Sequence, residues 1–177
     1  MNYFPMFVSL EGKKCLIAGG GRIALKKAEK LLQFGADVVA VAPEFVSEFK
    51  QIGVKLVHGR YTPDLLDGAY LAIAATDDKE VNARVAADCR ARGIEVNSAD
   101  DKENCTFFFP ALVLRGDVTI GISTGGASPY LAARLRARAE EAFPESLKEV
   151  CERAKALRGS VSAEEYARAV EEMLHED

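Results

Sequence analysis

The chain has 177 residues, 49% hydrophobic and 28% charged, with a formal net charge of −4 at pH 7. That length fits one main domain with a small appendage, and the acidic balance speaks against nucleic acid, whose phosphates call for a surplus of lysine and arginine. No apolar run approaches the roughly 20 residues of a bilayer span, so a membrane is not an expected partner. Met1 to Leu10 is apolar but lacks the basic start and small-residue cleavage site of a signal peptide. A cytoplasmic protein is expected.

The next elements alternate. Lys14 to Ala18 reads as a strand, and Arg22 to Phe34 as a helix with Ile23, Ala24, Ala28, Leu31 and Leu32 on its apolar side. Asp37 to Ala42 and Val54 to His58 read as strands. Tyr70 to Ala75 is a continuous apolar run, the pattern of a strand buried on both faces. Asp78 to Arg92 predicts a helix stopped by Gly93, and Ile94 to Asn97 a closing strand. Strands separated by helical crossovers of this length predict a doubly wound parallel sheet.

After Cys105 the pattern changes. Thr106 to Leu114 and Asp117 to Ser123, joined by Arg115-Gly116, predict an antiparallel hairpin with a bulge or edge at Pro110. Three helices follow, over Pro129 to Ala142, Glu145 to Leu157 and Ala163 to Leu174. The expected division is 1–105, 106–143 and 144–177. Cys15, Cys89, Cys105 and Cys151 form no CxxC pair, which argues against a zinc site and a disulfide scaffold. No metal is expected, and the thiols read as buried or idle.

Leu16 to Ala24 satisfies G-x-G-x-x-A between a strand and a helix. In that context Gly19 makes a tight turn, Gly21 lets the backbone approach a pyrophosphate, and Ala24 allows close helix–strand packing. The implied fold class is α/β, a Rossmann-like sheet that binds a dinucleotide. The acid usually found at the end of the second strand is missing, because that strand ends Val41-Ala42-Pro43 and the first acid after it is Glu44. Between Lys30 and Lys50 there is no arginine or lysine to meet a 2′-phosphate, so NAD is favoured over NADP. Thr76 follows the strand Tyr70 to Ala75 and either faces the cofactor or helps cap the next helix.

Ser123-Thr124-Gly125-Gly126-Ala127-Ser128-Pro129 is a second glycine-rich turn into a helix, with Ser128 as N-cap and Pro129 at the first helical position. Such turns attract anions. Arg134 and Arg138 share a helical face while Arg136 points elsewhere. This basic stripe suits an acidic ligand, and equally a solvated face or a subunit interface.

Phe4-Pro5-Met6-Phe7, Leu16 to Ala24, Ala74 to Asp78 with Asn82, Asn97 to Asp100, Phe107 to Pro110 and Ser123 to Pro129 together resemble the precorrin-2 dehydrogenase domain of the siroheme synthase family. The resemblance covers roughly residues 3–157. It implies oxidation of precorrin-2, a tetrapyrrole with eight carboxylates, to sirohydrochlorin with NAD, and leaves iron insertion open. It also implies a homodimer in which the hairpin and helix after the nucleotide-binding domain form a dimerisation module. Cofactor contacts carry over to Arg22, Ile23, Pro43 and Glu44, and the key acid to Asp100, a candidate general base. The substrate's carboxylates are then expected at Ser123, Thr124, Gly125, Gly126, Ser128 and Arg134. The family's longer helical region and methyltransferase segment are not expected here, where Ser160 to Asp177 is short and acidic. Two readings from other classes stay open: an NAD-sensing binding module with no need of Asp100, and a tetrapyrrole chelatase or carrier without redox activity.

Overall fold

A computed structural model describes residues 4–176. Met1 to Tyr3, at the start of the expected nucleotide-binding segment, and Asp177, the last acid of the tail, lie outside the described residues. The chain forms two compact units. One runs from Met6 to Phe108, and the other takes the chain from Phe109 onward together with Phe4 and Pro5.

The first unit is built on a five-stranded sheet, β1 (Lys14–Ala18), β2 (Asp37–Ala42), β3 (Lys55–His58), β4 (Leu71–Ala74) and β5 (Glu95–Ser98), in the order β3-β2-β1-β4-β5. All four pairings are parallel. This is the doubly wound order, with the direction of winding reversing between β1 and β4. β1 and β4 read as uninterrupted apolar runs because both their faces are covered. Leu16, Ala18, Ala72, Ala74 and Val96 share one cluster with Val85, Ala86 and Cys89 of helix α2 (Lys79–Arg92). Cys15 and Ile17 alternate to the opposite face, the side of helix α1 (Arg22–Leu32), whose Ala24, Leu25, Ala28 and Leu31 are buried. Between β2 and β3, and between β3 and β4, the crossovers are short 3-10 turns, Ser47–Gln51 and Pro63–Leu66. The first of these buries Phe49 completely.

Both helices end on glycine. At α1, Gly35 (φ +75°) donates to the Leu32 carbonyl and Ala36 to that of Leu31, so the helix stops before the predicted Phe34. At α2, Gly93 (φ +66°) and Ile94 make the same pair of bonds to Arg90 and Cys89. Each pair is a Schellman stop, which satisfies carbonyls the helix leaves open. Asp78 is the N-cap of α2, not its first residue, and its carboxylate accepts from Glu80 N and Val81 N.

Thr106 to Pro110 is not strand. Thr106 instead turns back on the outer edge of β5: its N–H donates to Val96 O (2.8 Å) and its hydroxyl accepts from Val96 N (2.8 Å). One step further along, the Cys105 sulfur accepts from Ser98 N at 3.2 Å. The hairpin therefore starts late, after Pro110, as β6 (Ala111–Arg115) and β7 (Val118–Ile122).

In the second unit the antiparallel register pairs Arg115 with Val118. The two-residue loop is thus Gly116-Asp117 and not the expected Arg115-Gly116. Gly116, at φ +59°, takes the first central position, where a type II′ hairpin turn needs glycine. Arg115 is a buried strand residue. Its guanidinium donates to the carbonyls of Phe143 (2.9 Å), Leu114 (3.0 Å) and Glu140 (3.4 Å) and pairs with Glu145 (2.9 Å). It so binds the hairpin to the C-terminal end of helix α3 (Pro129–Ala142), where orphan carbonyls favour a cation. Helices α4 (Leu147–Leu157) and α5 (Ala163–His175) complete the unit, with Val150 and Met173 buried. Ser162 and Glu165 form a capping box at the start of α5.

Candidate functional site

Register decides which loops meet in the first unit. Ala18 lies level with Val41 on one side and with Ala74 on the other, and Ala74 lies level with Ser98. The segments after β1, β2, β4 and β5 therefore leave the sheet along one carboxyl edge, beside the reversal between β1 and β4. Open parallel sheets bind ligands at this place.

Three consecutive glycines follow β1, and each serves differently. Gly19 has φ +137°, and a Cβ there would lie 2.3 Å from the Ala75 carbonyl oxygen. A Cβ on Gly20 would lie 2.0 Å from the Glu44 carbonyl oxygen. Both positions require glycine because neighbouring loops press against them. Gly20 escaped the sequence reading, since its constraint comes from the loop after β2 and not from the local pattern. Gly21 differs: a Cβ there would meet nothing within 4 Å. It is the N-cap of α1, has no side-chain capping bond, and no acid occupies the first turn. The helix thus presents unclaimed N–H groups and its positive end to open space, an arrangement that accepts an anion. Arg22 and Ile23 begin the helix, and Ile23 is 59% exposed.

The loop after β2 is locked to this turn. Val46 N donates to Gly20 O at 2.9 Å. Phe45 stacks edge-on against Phe49 and against His58, each at 5.2 Å. His58 is thus a packing residue. Pro43 and Glu44 are exposed above this anchor. The Glu48 carboxyl, on the same loop, is held below its ordinary value first by hydrogen bonds from its own backbone and from Ser47, and more weakly by the charge of Arg22.

After β4, Thr76 is engaged by α2. Its N–H donates to Asn82 Oδ1 at 3.0 Å, its hydroxyl lies 2.8 Å from the same oxygen, and its carbonyl accepts from Asn82 Nδ2 at 3.1 Å. The hydroxyl also accepts from Asp78 N. Of the two sequence readings of Thr76, shaping the start of the next helix is thus directly visible.

After β5, Asp100 is exposed, and its Oδ1 accepts from the Ser98 hydroxyl at 2.6 Å. Partial burial alone would raise this carboxyl. Hydrogen bonds from Ser98, Asn82 and its own backbone, with the Lys79 charge, outweigh that and hold it below the ordinary value. Neighbouring Asp101 points its carboxylate back to Glu103 N and Asn104 Nδ2, so it caps the 3-10 turn that follows. Ser98 and Asn82 were missed as site residues. The signal for Asn82 was a polar side chain on the buried face of α2, in line with Val85, Ala86 and Cys89.

In the second unit the turn Ser123 to Ser128 is stitched from within. Gly125 N donates to Ser123 Oγ (3.1 Å), and Ser128 N donates to Thr124 Oγ1 (3.2 Å). Gly125 and Gly126 have φ of +60° and +77°. Ser128 caps α3 by accepting from Leu131 N at 3.1 Å. Arg134 and Arg138 are exposed, whereas Arg136 pairs with Glu140 one turn on. Burial pushes the thiols of Cys15 and Cys89 up to about 11, with nearby Asp37 and Asp88 adding to it. Among the described residues, no group of three or more His, Cys, Asp or Glu side chains gathers to hold a metal, and no helix is long and apolar enough to cross a membrane.

Comparison with known proteins agrees with this geometry. A family described as putative NAD(P)-binding matches residues 6–111, and one described as sirohaem biosynthesis protein central matches residues 115–141. The siroheme synthase of Chromobacterium violaceum is 47% identical over 148 residues, covering 81% of this chain and 32% of that protein. That of Nitrosomonas eutropha is 39% identical over 166 residues, covering 91% of this chain and 35% of that protein. The chain thus spans about a third of the length of these relatives. The solved structure of SirC, a precorrin-2 dehydrogenase, superposes with a TM-score of 0.76 at 25% identity, covering 97% of this chain and 89% of that one. With its glycine turn, parallel sheet and matching sequence over residues 6–111, the chain belongs to the putative NAD(P)-binding family.

Proposed function

We propose that the chain oxidises precorrin-2 to sirohydrochlorin with NAD, acting as a cytoplasmic homodimer. The observation that carries this reading is the shared carboxyl edge, where the uncapped start of α1 and the ionised Asp100 leave the same sheet. When bound, NAD supplies the acceptor for the hydride. The residues present fit it: Gly21 leaves room for a pyrophosphate, the N–H groups of Arg22 and Ile23 are unclaimed by any cap, and Glu44 offers a carboxylate to a ribose. Pro43 and the Thr76 loop border the same edge, and the stretch between Lys30 and Lys50 that carries Glu44 holds no base to favour a 2′-phosphate.

Loss of a hydride from the substrate leaves a proton to be removed. Asp100 is charged throughout the neutral range and accessible to water, so it accepts that proton and passes it to solvent. Ser123, Thr124, Gly125, Gly126, Ser128 and Arg134 form an anion-binding turn and a neighbouring cation, suited to the carboxylate arms of a tetrapyrrole. Helix α3 buries none of its residues, and Tyr130 (76%), Leu131 (48%) and Leu135 (38%) stand exposed on it. Such a helix within the proposed 106–143 module supports its use as the dimer interface.

The test is to incubate the protein with precorrin-2 and NAD and follow NADH absorbance. Folded protein that makes no NADH overturns the reading. For Asp100→Ala, NAD affinity stays within about twofold while turnover falls roughly 10²- to 10⁴-fold, the range of general base catalysis. Near-normal turnover would move the base to another group.

A further inference from the structure

We propose that Ser98 is a positioning residue for Asp100, its hydroxyl orienting the proton-accepting carboxylate from the fixed end of β5. This rests on the reading of Asp100 as the base. Asp100 stands exposed in the loop after β5, and a carboxyl so placed keeps its rotamer freedom unless a bond holds it. The Ser98 hydroxyl donates to its Oδ1 at 2.6 Å, a length typical of a hydroxyl on a charged carboxylate.

The donor is far better fixed than the acceptor. Ser98 is 7% exposed and is the last residue of β5. On one side it lies level with Ala74 of β4, and Ala99 N donates to the Ala74 carbonyl at 2.9 Å. On the other side the Cys105 sulfur accepts from Ser98 N at 3.2 Å and donates to Ser98 O at 3.3 Å. Burial raises the Cys105 thiol above its ordinary value, so it keeps the proton that the second of these bonds requires. With both flanks of its backbone claimed, Ser98 presents its hydroxyl to the loop from a rigid base. A hydroxyl aimed at a carboxylate also favours the charged form. The other ionisable groups facing Asp100 are Lys79, on the first turn of α2, which attracts it, and Cys105, whose thiol feels its charge. Its chain neighbour Asp101 turns its own carboxylate to Glu103 N and Asn104 Nδ2. Lys79 and Asp101 are exposed, where salt and water weaken their pull, whereas the Ser98 bond is a direct contact.

The experiment replaces Ser98 by Ala and by Thr in the full chain. Asp100 works ionised, so losing a donor to its charged form raises its pKa and moves the acid limb of the kcat/KM profile to higher pH. We expect Ser98→Ala to move that limb by roughly half a unit or more and to lower kcat roughly three- to thirtyfold while NAD affinity holds. Ser98→Thr keeps the hydroxyl and is expected to restore both towards the unaltered protein. The Asp100 titration is also read directly, by NMR of its carboxyl carbon without substrate or NAD, and its midpoint should rise in Ser98→Ala and not in Ser98→Thr. Each change is then repeated in Asp100→Ala, where a residue acting through Asp100 has no further effect on turnover. A hydroxyl that only closes the turn after β5 would lower stability and leave the titration where it was. An unmoved midpoint in folded Ser98→Ala, or an undiminished effect in Asp100→Ala, therefore overturns the proposal. Near-normal turnover of Asp100→Ala itself would instead overturn the reading of Asp100 as the base, so the two failures are distinguishable.

Discussion

β1 and α3 are both mostly apolar and put those residues to different use. Four of the five residues of β1 are buried, whereas α3 runs for fourteen residues without burying one. The strand lies at the centre of a sheet whose two faces are each covered by a helix. α3 leans on β6, is held at its C-terminal end by Arg115, and leaves Tyr130, Leu131 and Leu135 in solvent. The difference teaches that the sheet buries its central strand within its own unit, while α3 leaves Tyr130, Leu131 and Leu135 exposed, the surface proposed above as the dimer interface.

The sharpest way to break this contrast is inside the sheet unit. Phe49 is wholly buried, so Phe49→Ala should cost about 3–5 kcal/mol, the range for losing a core phenylalanine. Denaturant unfolding checks this, and a loss below about 1 kcal/mol would show that the packing around it is loose.

Next come the glycines, which divide packing from binding within one turn. Gly19→Ala drives a Cβ into the Ala75 carbonyl at a strained φ and should cost about 1–3 kcal/mol or more. Gly21→Ala touches nothing in the fold and should leave stability within about 0.5 kcal/mol. It should nevertheless weaken NAD binding at least roughly tenfold, about 1.4 kcal/mol, because the methyl group occupies the space left for the anion. Thermal unfolding with and without NAD separates the two, and equal NAD affinity in Gly21→Ala would remove the pyrophosphate from this site.

A small effect on folding is also expected in the second unit. Replacing Leu131 and Leu135 together by Glu should change the stability of the dissociated chain by no more than about 1 kcal/mol. Sedimentation should show the dimer lost while NAD still binds. A dimer that persists would place the interface on another surface.

The continuous apolar runs of β1 and β4 made the parallel sheet legible, as did the glycine that stops α2. The hairpin was misplaced because Thr106 to Pro110 reads as strand, yet its first residue is claimed by β5, a partner that local pattern does not reveal. The same blindness to distant contacts hid Gly20, whose neighbour is Glu44, and Arg115, taken for a turn residue although it reaches carbonyls across the fold. Of the site, the turn was readable because its spacing is local. Asp100 came from resemblance, and the hydrogen bond it accepts from the Ser98 hydroxyl appeared only in the structure.

The side-chain pairing along β5 has a consequence for solubility. An open strand at a sheet margin is a template for pairing with other chains and for fibril growth. Here the Thr106 hydroxyl and the Cys105 sulfur take the N–H groups of Val96 and Ser98, so the margin is closed without a sixth strand. Alkylating Cys105 would displace the sulfur and reopen part of that margin, making the treated protein more prone to aggregate.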